Sequence, residues 1–202
     1  MSFILHKERN LNHMFKGIIP FAHHLLKEVT NEGDIVVDAT CGNGNDTLLL
    51  ATLVGETGHV YSFDVQQQAI ETTKQLINQH GWNNVHYIHD SHAKLETYLQ
   101  EEHKKKIRAA VFNLGYLPRS DKKVITEAPS TIAAIQALLH NLEKGGRVVL
   151  VVYHGHVGGK EEKDAVLQFV TNLDQQYYGV LQYGFVNQRN DPPFVIAMEK
   201  RQ

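Results

Sequence analysis

The chain has 202 residues, 42% of them hydrophobic and 21% charged, the balance of a soluble globular protein. A net charge of −2 excludes a bulk polyanion binder, so any nucleic-acid contact has to rest on a local basic patch. Cys41 is the sole cysteine, which excludes an internal disulfide and a cysteine-based zinc site; no apolar run reaches membrane-span length, the first residues lack a signal-type apolar core, and a cytoplasmic location is expected.

Residues 1–11 read as an arm or a short helix. An amphipathic helix is predicted over Ile18–Val29, with Pro20 in its first turn and Phe21, Leu25 and Val29 on one face. The run Ile35-Val36-Val37-Asp38 is a buried parallel strand, followed by the Gly-rich turn Cys41-Gly42-Asn43-Gly44-Asn45 and a helix from Asp46 to about Val54. In such a turn Gly42 and Gly44 allow close backbone approach, and the amides of Asn43, Gly44 and Asn45 point at a ligand. Asp38 falls at the strand's carboxyl end, where open α/β sheets bind ligands.

A second strand, His59 to Phe63, ends at Asp64, twenty residues past Gly44. An acid at that offset is placed to accept both hydroxyls of a ribose, with Gln66 one step further on. A dinucleotide fingerprint requires a third glycine where this chain has Thr47, so S-adenosyl-L-methionine (SAM) fits the turn better than NAD. A helix over Gln67–Ile77 leads to a third strand, Val85–Asp90; Asp90, Ser91 and His92 lie where an adenine edge would fall, and Ser91-His92 opens a short helix. Glu101 to Lys106 reads as a solvated charged loop.

The fourth strand begins near Ala109 and exits through Asn113-Leu114-Gly115-Tyr116-Leu117-Pro118. That exit resembles the Asn/Asp-Pro-Pro-Tyr loop of amino-group methyltransferases, with Leu114 and Gly115 in place of the prolines. The resemblance implies that Asn113 accepts hydrogen bonds from a target amine and that Tyr116 packs on the target. A helix from Ser130 is expected to end at Gly145-Gly146. The apolar run Arg147–Tyr153 is then a central strand, delivering His154 and His156. These histidines suit a phosphate, a substrate base or a general-base role better than a metal, because no third ligand lies at ligand spacing. Arg119, Lys122, Lys123 and Lys160 fall on the same rim as a phosphate track, and Asp191-Pro192 lies in the loop between the last two strands, Tyr178–Val186 and Phe194–Glu199.

Five βα units followed by two strands with no intervening helix predict one α/β domain, with helices on both faces of a mostly parallel seven-stranded sheet and a final antiparallel strand. That is the Rossmann-like architecture of class I SAM-dependent methyltransferases.

Taken together, Asp38–Thr47, Phe63–Gln66, Phe112–Pro118, Val152–His156 and Asn190–Phe194 are similar to the small bacterial rRNA methylase family. The resemblance covers nearly the whole chain from Phe15 onward. It implies a SAM-dependent tRNA wobble-uridine methyltransferase that turns 5-aminomethyl-2-thiouridine into its methylaminomethyl form. It also implies the tRNA anticodon stem-loop as partner and a homodimer. Methylation of ribosomal RNA or a small molecule on the same fold is the alternative, and a nucleotide-binding oxidoreductase or regulatory module is the alternative of another class.

Overall fold

The computed structural model describes residues 15–115 and 126–202. Its sheet has seven strands in the order β3-β2-β1-β4-β5-β7-β6, namely β1 Ile35–Asp38, β2 His59–Asp64, β3 Val85–His89, β4 Ile107–Leu114, β5 Leu142–Val152, β6 Tyr178–Tyr183 and β7 Phe194–Lys200. The first five strands run parallel, and β7 is antiparallel to both β5 and β6. The helices are α1 Ile18–Val29, α2 Asn45–Val54, α3 Gln67–Gln79, α4 Leu95–Tyr98, α5 Ala128–Asn141 and α6 Gly159–Thr171.

The two-residue period of a strand sorts neighbouring apolar side chains onto opposite faces. Val36, Ala109, Val111, Val149 and Val151 pack against Ala22, Leu25 and Leu26 of α1 and Leu50, Ala51 and Val54 of α2. Their neighbours Val37, Ala110, Phe112, Val148 and Leu150 pack on the other face with Leu95, Ile135, Leu138 and Val166 of α4, α5 and α6. Because both faces are covered, the central strands are apolar without alternation.

The chain turns in opposite directions from β1 and β4, which are hydrogen-bonded neighbours joined by no direct connection. The crevice above their carboxyl ends is where an open α/β sheet binds its ligand. Helix α1 forms one side of this crevice and is fastened by the last hairpin. Arg147 of β5 donates Nε to Glu199 of β7 at 2.7 Å and Nη1 to Glu28 of α1 at 2.7 Å. Tyr183 Oη donates to the Lys16 carbonyl at 2.7 Å, and its ring stacks on Phe21 with centroids 3.8 Å apart.

The structure departs from the expected elements in several places: β6 ends at Tyr183, short of the expected Val186, and two further departures have a packing cause. Helix α5 stops at Asn141, whose side-chain amide donates to the Ala137 carbonyl at 2.9 Å and to Glu96 at 3.0 Å. The Gly145-Gly146 pair instead sits in an irregular start of β5, where pairing with β4 jumps from Ile107 and Leu142 to Ala109 and Arg147. A Cβ on Gly146 would meet Leu142 Cγ at 2.8 Å and the Arg108 carbonyl at 2.9 Å, so backbone proximity requires the glycine.

The Glu101–Lys106 segment is also more than a solvated loop. Glu101–His103 forms a 3-10 turn that buries His103, whose Nδ1 lies 2.7 Å from Tyr61 Oη. His59 joins the group, with Nδ1 3.4 Å from His86 Nε2 and its ring centroid 4.5 Å from that of His103. Burial first, and the charge of His59 second, hold His86 and His103 below the usual histidine value of 6.5. Groups shifted this way contribute stability above that value and lose it as pH falls through and below it. The melting temperature is therefore expected to fall between pH 7 and pH 5, with a shallower slope in His86→Gln. Equal slopes in thermal melts of the two proteins would reject this account.

Candidate active site

Above β1 and β4 lies a cleft of about 780 Å3. The turn after β1 forms its floor. Gly44 caps α2 with φ +84°, and a Cβ there would come within 3.0 Å of Thr73 Cα, so this left-handed, close-packed position demands glycine. Asp38 does not line the cleft. It is fully buried beneath the turn, where one oxygen accepts Thr47 Oγ1–H at 2.6 Å and the other accepts the Thr40 N–H at 3.2 Å. Burial, with the nearby charge of Asp46 adding to it, pushes this carboxyl well above the usual aspartate range. Structurally Asp38 braces the turn, and Thr47, where a dinucleotide fingerprint has glycine, is the brace's partner, 3.0 Å from Ser62 Oγ as well.

Asp64 does face the cleft. Gly42 N–H donates to Oδ2 at 3.0 Å and Gln66 N–H to Oδ1 at 2.9 Å, so each oxygen keeps further acceptor capacity. Burial raises this carboxyl, and the backbone N–H groups of Gln66, Gly42 and Val65 partly offset the rise. Gly42, Asn43, Asn45 and Gln66 line the same wall. Ser91 and His92 line the neighbouring one. His92 donates Nδ1–H to the Ala39 carbonyl at 3.0 Å, which leaves Nε2 as a buried acceptor with no hydrogen-bond partner. Asp90 is drawn away instead. Lys94 Nζ, Tyr98 Oη and the Ser91 N–H hold its carboxyl down to about 2.

Asn113 enters from the end of β4. Its N–H donates to Thr40 Oγ1 at 2.7 Å, and its side chain lines the cleft. Gly115 also lines it and exchanges two bonds with Thr126, each 3.0 Å, while Thr126 Oγ1 donates to the buried Glu162 at 2.7 Å. On the far rim, His154 donates Nε2–H to the Pro192 carbonyl at 3.2 Å, and its Nδ1 is 3.9 Å from Asp191 Oδ1. His156 and Asp191 line the cleft with it; Pro192 supplies its carbonyl to His154 but no lining surface. Tyr116, Arg119, Lys122 and Lys123 lie outside the described residues.

Sequence reading missed His23 and Asp46. Asp46 lies in the first turn of α2, within 2.6 Å of His23 Nε2 and 2.5 Å of Asn113 Nδ2. Tyr153, also missed, lines the cleft; burial, then the charge of Asp46, raises its hydroxyl above the usual tyrosine value.

The family model described as "Putative rRNA methylase" matches residues 60–199. This chain belongs to that family. It is 37% identical over 190 residues, 90% of this chain and 68% of the relative, to the chloroplastic tRNA (mnm(5)s(2)U34)-methyltransferase of Arabidopsis thaliana. Two solved structures are similar throughout. One, a putative rRNA methylase from Clostridium thermocellum, is 40% identical with a TM-score of 0.88, covering 92% of this chain and 98% of that one. The other, a putative methyltransferase from Streptococcus mutans in complex with SAH, is 45% identical with a TM-score of 0.84, covering 93% and 99%.

The rRNA methylase fold is Rossmann-like and its cofactor is SAM, and this chain is a SAM-dependent methyltransferase. The cleft's own groups fit that molecule. A two-oxygen acceptor suits a ribose diol, an orphaned ring nitrogen suits a nucleobase amine, and the start of α2 offers N–H groups without intrahelical partners to an amino-acid end. Among the described residues no group of three or more His, Cys, Asp or Glu is arranged to hold a metal ion, and no helix is long and apolar enough to cross a membrane.

Proposed function

We propose that this protein methylates the exocyclic amine of 5-aminomethyl-(2-thio)uridine at the wobble position of tRNA. The observation that carries the reading is Asn113, whose amide lines the cleft that also holds Asp64 and the Gly42–Asn45 turn. An amine needs an acceptor for its N–H beside the methyl donor, and a side-chain amide oxygen is one. The Arabidopsis relative, whose name specifies that tRNA position, supports the choice.

SAM supplies an electrophilic methyl carbon on a positively charged sulfur. In this assignment Asp64 takes the ribose hydroxyls, Gln66 adds a polar contact, Ser91 and His92 take the base, and Gly42, Asn43, Gly44 and Asn45 form the turn around the amino-acid end. Asp38 acts from beneath that turn. The neutral amine attacks in line: the N–C bond forms, the C–S bond breaks with its electron pair going to sulfur, and the amine then sheds a proton. Holding the reactants at attack distance accounts for much of such a rate enhancement, about 7–11 kcal/mol in favourable cases. Asn113 is assigned to orient the amine and His154 to accept its proton, and Tyr116, outside the described residues, is assigned to pack on the target. Gly115, His156, Asp191 and Pro192 are assigned to the rim that contacts the anticodon stem-loop, together with Arg119 and Lys122, which lie outside the described residues. A homodimer presenting two such rims would give so small a chain more surface for tRNA, and the cytoplasm is its place of work.

Mass spectrometry of tRNA nucleosides from a strain lacking the protein tests this. Accumulated 5-aminomethyl-2-thiouridine is the expected result. An unchanged tRNA profile would end the reading and favour ribosomal RNA, the substrate in the family's description.

A further inference from the structure

Asp46 occupies an unusual place for a residue in a helix's first turn. Its carboxylate is only 13% exposed and is committed to two other elements, not to capping its own. Oδ1 faces His23 Nε2 of α1 at 2.6 Å, and Oδ2 faces Asn113 Nδ2 of β4 at 2.5 Å. A carboxylate only accepts hydrogen bonds, whereas a side-chain amide has one donating and one accepting end. The end of Asn113 turned to Asp46 is therefore its NH2, and its Oδ1 is turned away. The backbone of Asn113 is already pinned by its N–H to Thr40 Oγ1 at 2.7 Å, so the remaining freedom is rotation of the amide. Asp46 removes that freedom.

We propose that Asp46, backed by His23, is a positioning residue that holds Asn113 with its amide oxygen toward the methyl acceptor, and so selects acceptors that offer an N–H. The selection of an amine rests on the functional reading above; the hold on Asn113 does not. With the oxygen presented, an amine donates one N–H and its lone pair is left for the methyl carbon. An acceptor offering only lone pairs would face the Asn113 oxygen unpaired, which disfavours it. In Asp46→Asn the amide at position 46 keeps its shape, its oxygen is taken by the His23 Nε2–H that faces Oδ1 in the wild type, and its NH2 is left to face Asn113. Asn113 would then turn its oxygen inward and its NH2 to the cleft, the reverse polarity.

Two measurements test this in the full-length protein. In spectra of 15N-labelled protein, the Asn113 side-chain NH2, identified by its disappearance in Asn113→Asp, should be displaced downfield by its charged partner and return toward ordinary values in Asp46→Asn. In steady-state assays Asp46→Asn should lower kcat at least tenfold while the KM for SAM stays within twofold. The exchange Asp46→Asn with Asn113→Asp restores a donor facing an acceptor and should exceed both single variants in kcat. An Asn113 NH2 that is undisplaced, or indifferent to Asp46→Asn, would overturn the proposal, as would an exchange no better than the singles. If Asp46→Asn does not fold, His23→Ala should give a smaller loss of the same displacement, and no change there counts against the proposal. Displacement behaving as expected in a wild type inactive on aminomethyl-uridine tRNA would remove the amine reading and leave the Asp46 hold standing.

Discussion

Asp64→Ala is expected to weaken SAM binding at least tenfold in calorimetry, which corresponds to about 1.4 kcal/mol or more. The side chain does two jobs. Its oxygens receive the Gly42 and Gln66 N–H groups at 3.0 and 2.9 Å, so it ties the end of β2 to the turn after β1. Its remaining lone pairs face the cleft, placed for the two hydroxyls of a ribose. Hydrogen bonds to a charged group are worth about 1.5–3 kcal/mol each, so losing even one reaches the tenfold mark. A pH effect follows with a definite sign. Burial raises this carboxyl, and a diol donates best to the ionised form. SAM affinity should therefore fall on acidification, beginning at a higher pH than an ordinary aspartate would give. NAD should not bind. Undiminished SAM affinity in Asp64→Ala would reject the cofactor wall described here.

Asn113→Ala is expected to lower turnover by roughly 10^2-fold, the cost of losing a well-placed orienting contact, while SAM affinity changes little. Alanine keeps the backbone N–H that bonds Thr40, so the junction of β1 and β4 survives. What is lost is the amide that lines the cleft and the partner of Asp46. Single-turnover rates and calorimetry on the same preparation separate the two effects. A parallel fall in rate and SAM affinity would show Asn113 to be a structural support.

The central strands were legible because burial on both faces writes itself as unbroken apolar runs. Ile35–Asp38 and His59–Asp64 emerge with their bounds intact, and the glycines between them mark a turn that no other residue could make so tightly. The Gly145-Gly146 pair misled for a related reason. Glycine signals crowding as well as helix ends, and here the crowding is a bulge against β4. Asp38 was read as a ligand contact because its place at a strand end is visible in sequence, whereas its burial under Thr47 is a matter of three dimensions. The His23–Asp46–Asn113 network was invisible for the plainest reason. Its members stand 23 and 67 positions apart, each on a different element, and no local pattern records that they meet.

The anchoring of α1 by Arg147, Glu199 and Tyr183 has a consequence for how the enzyme comes into being. The helix that brings His23 to the cleft is synthesised before the strands that hold it down. The binding crevice is thus left one wall short until β6 and β7 have zipped onto the sheet. A nascent chain halted before Phe194 would carry the whole Gly-turn region and still have an unfinished catalytic chamber, which ties methyl transfer to completion of the fold.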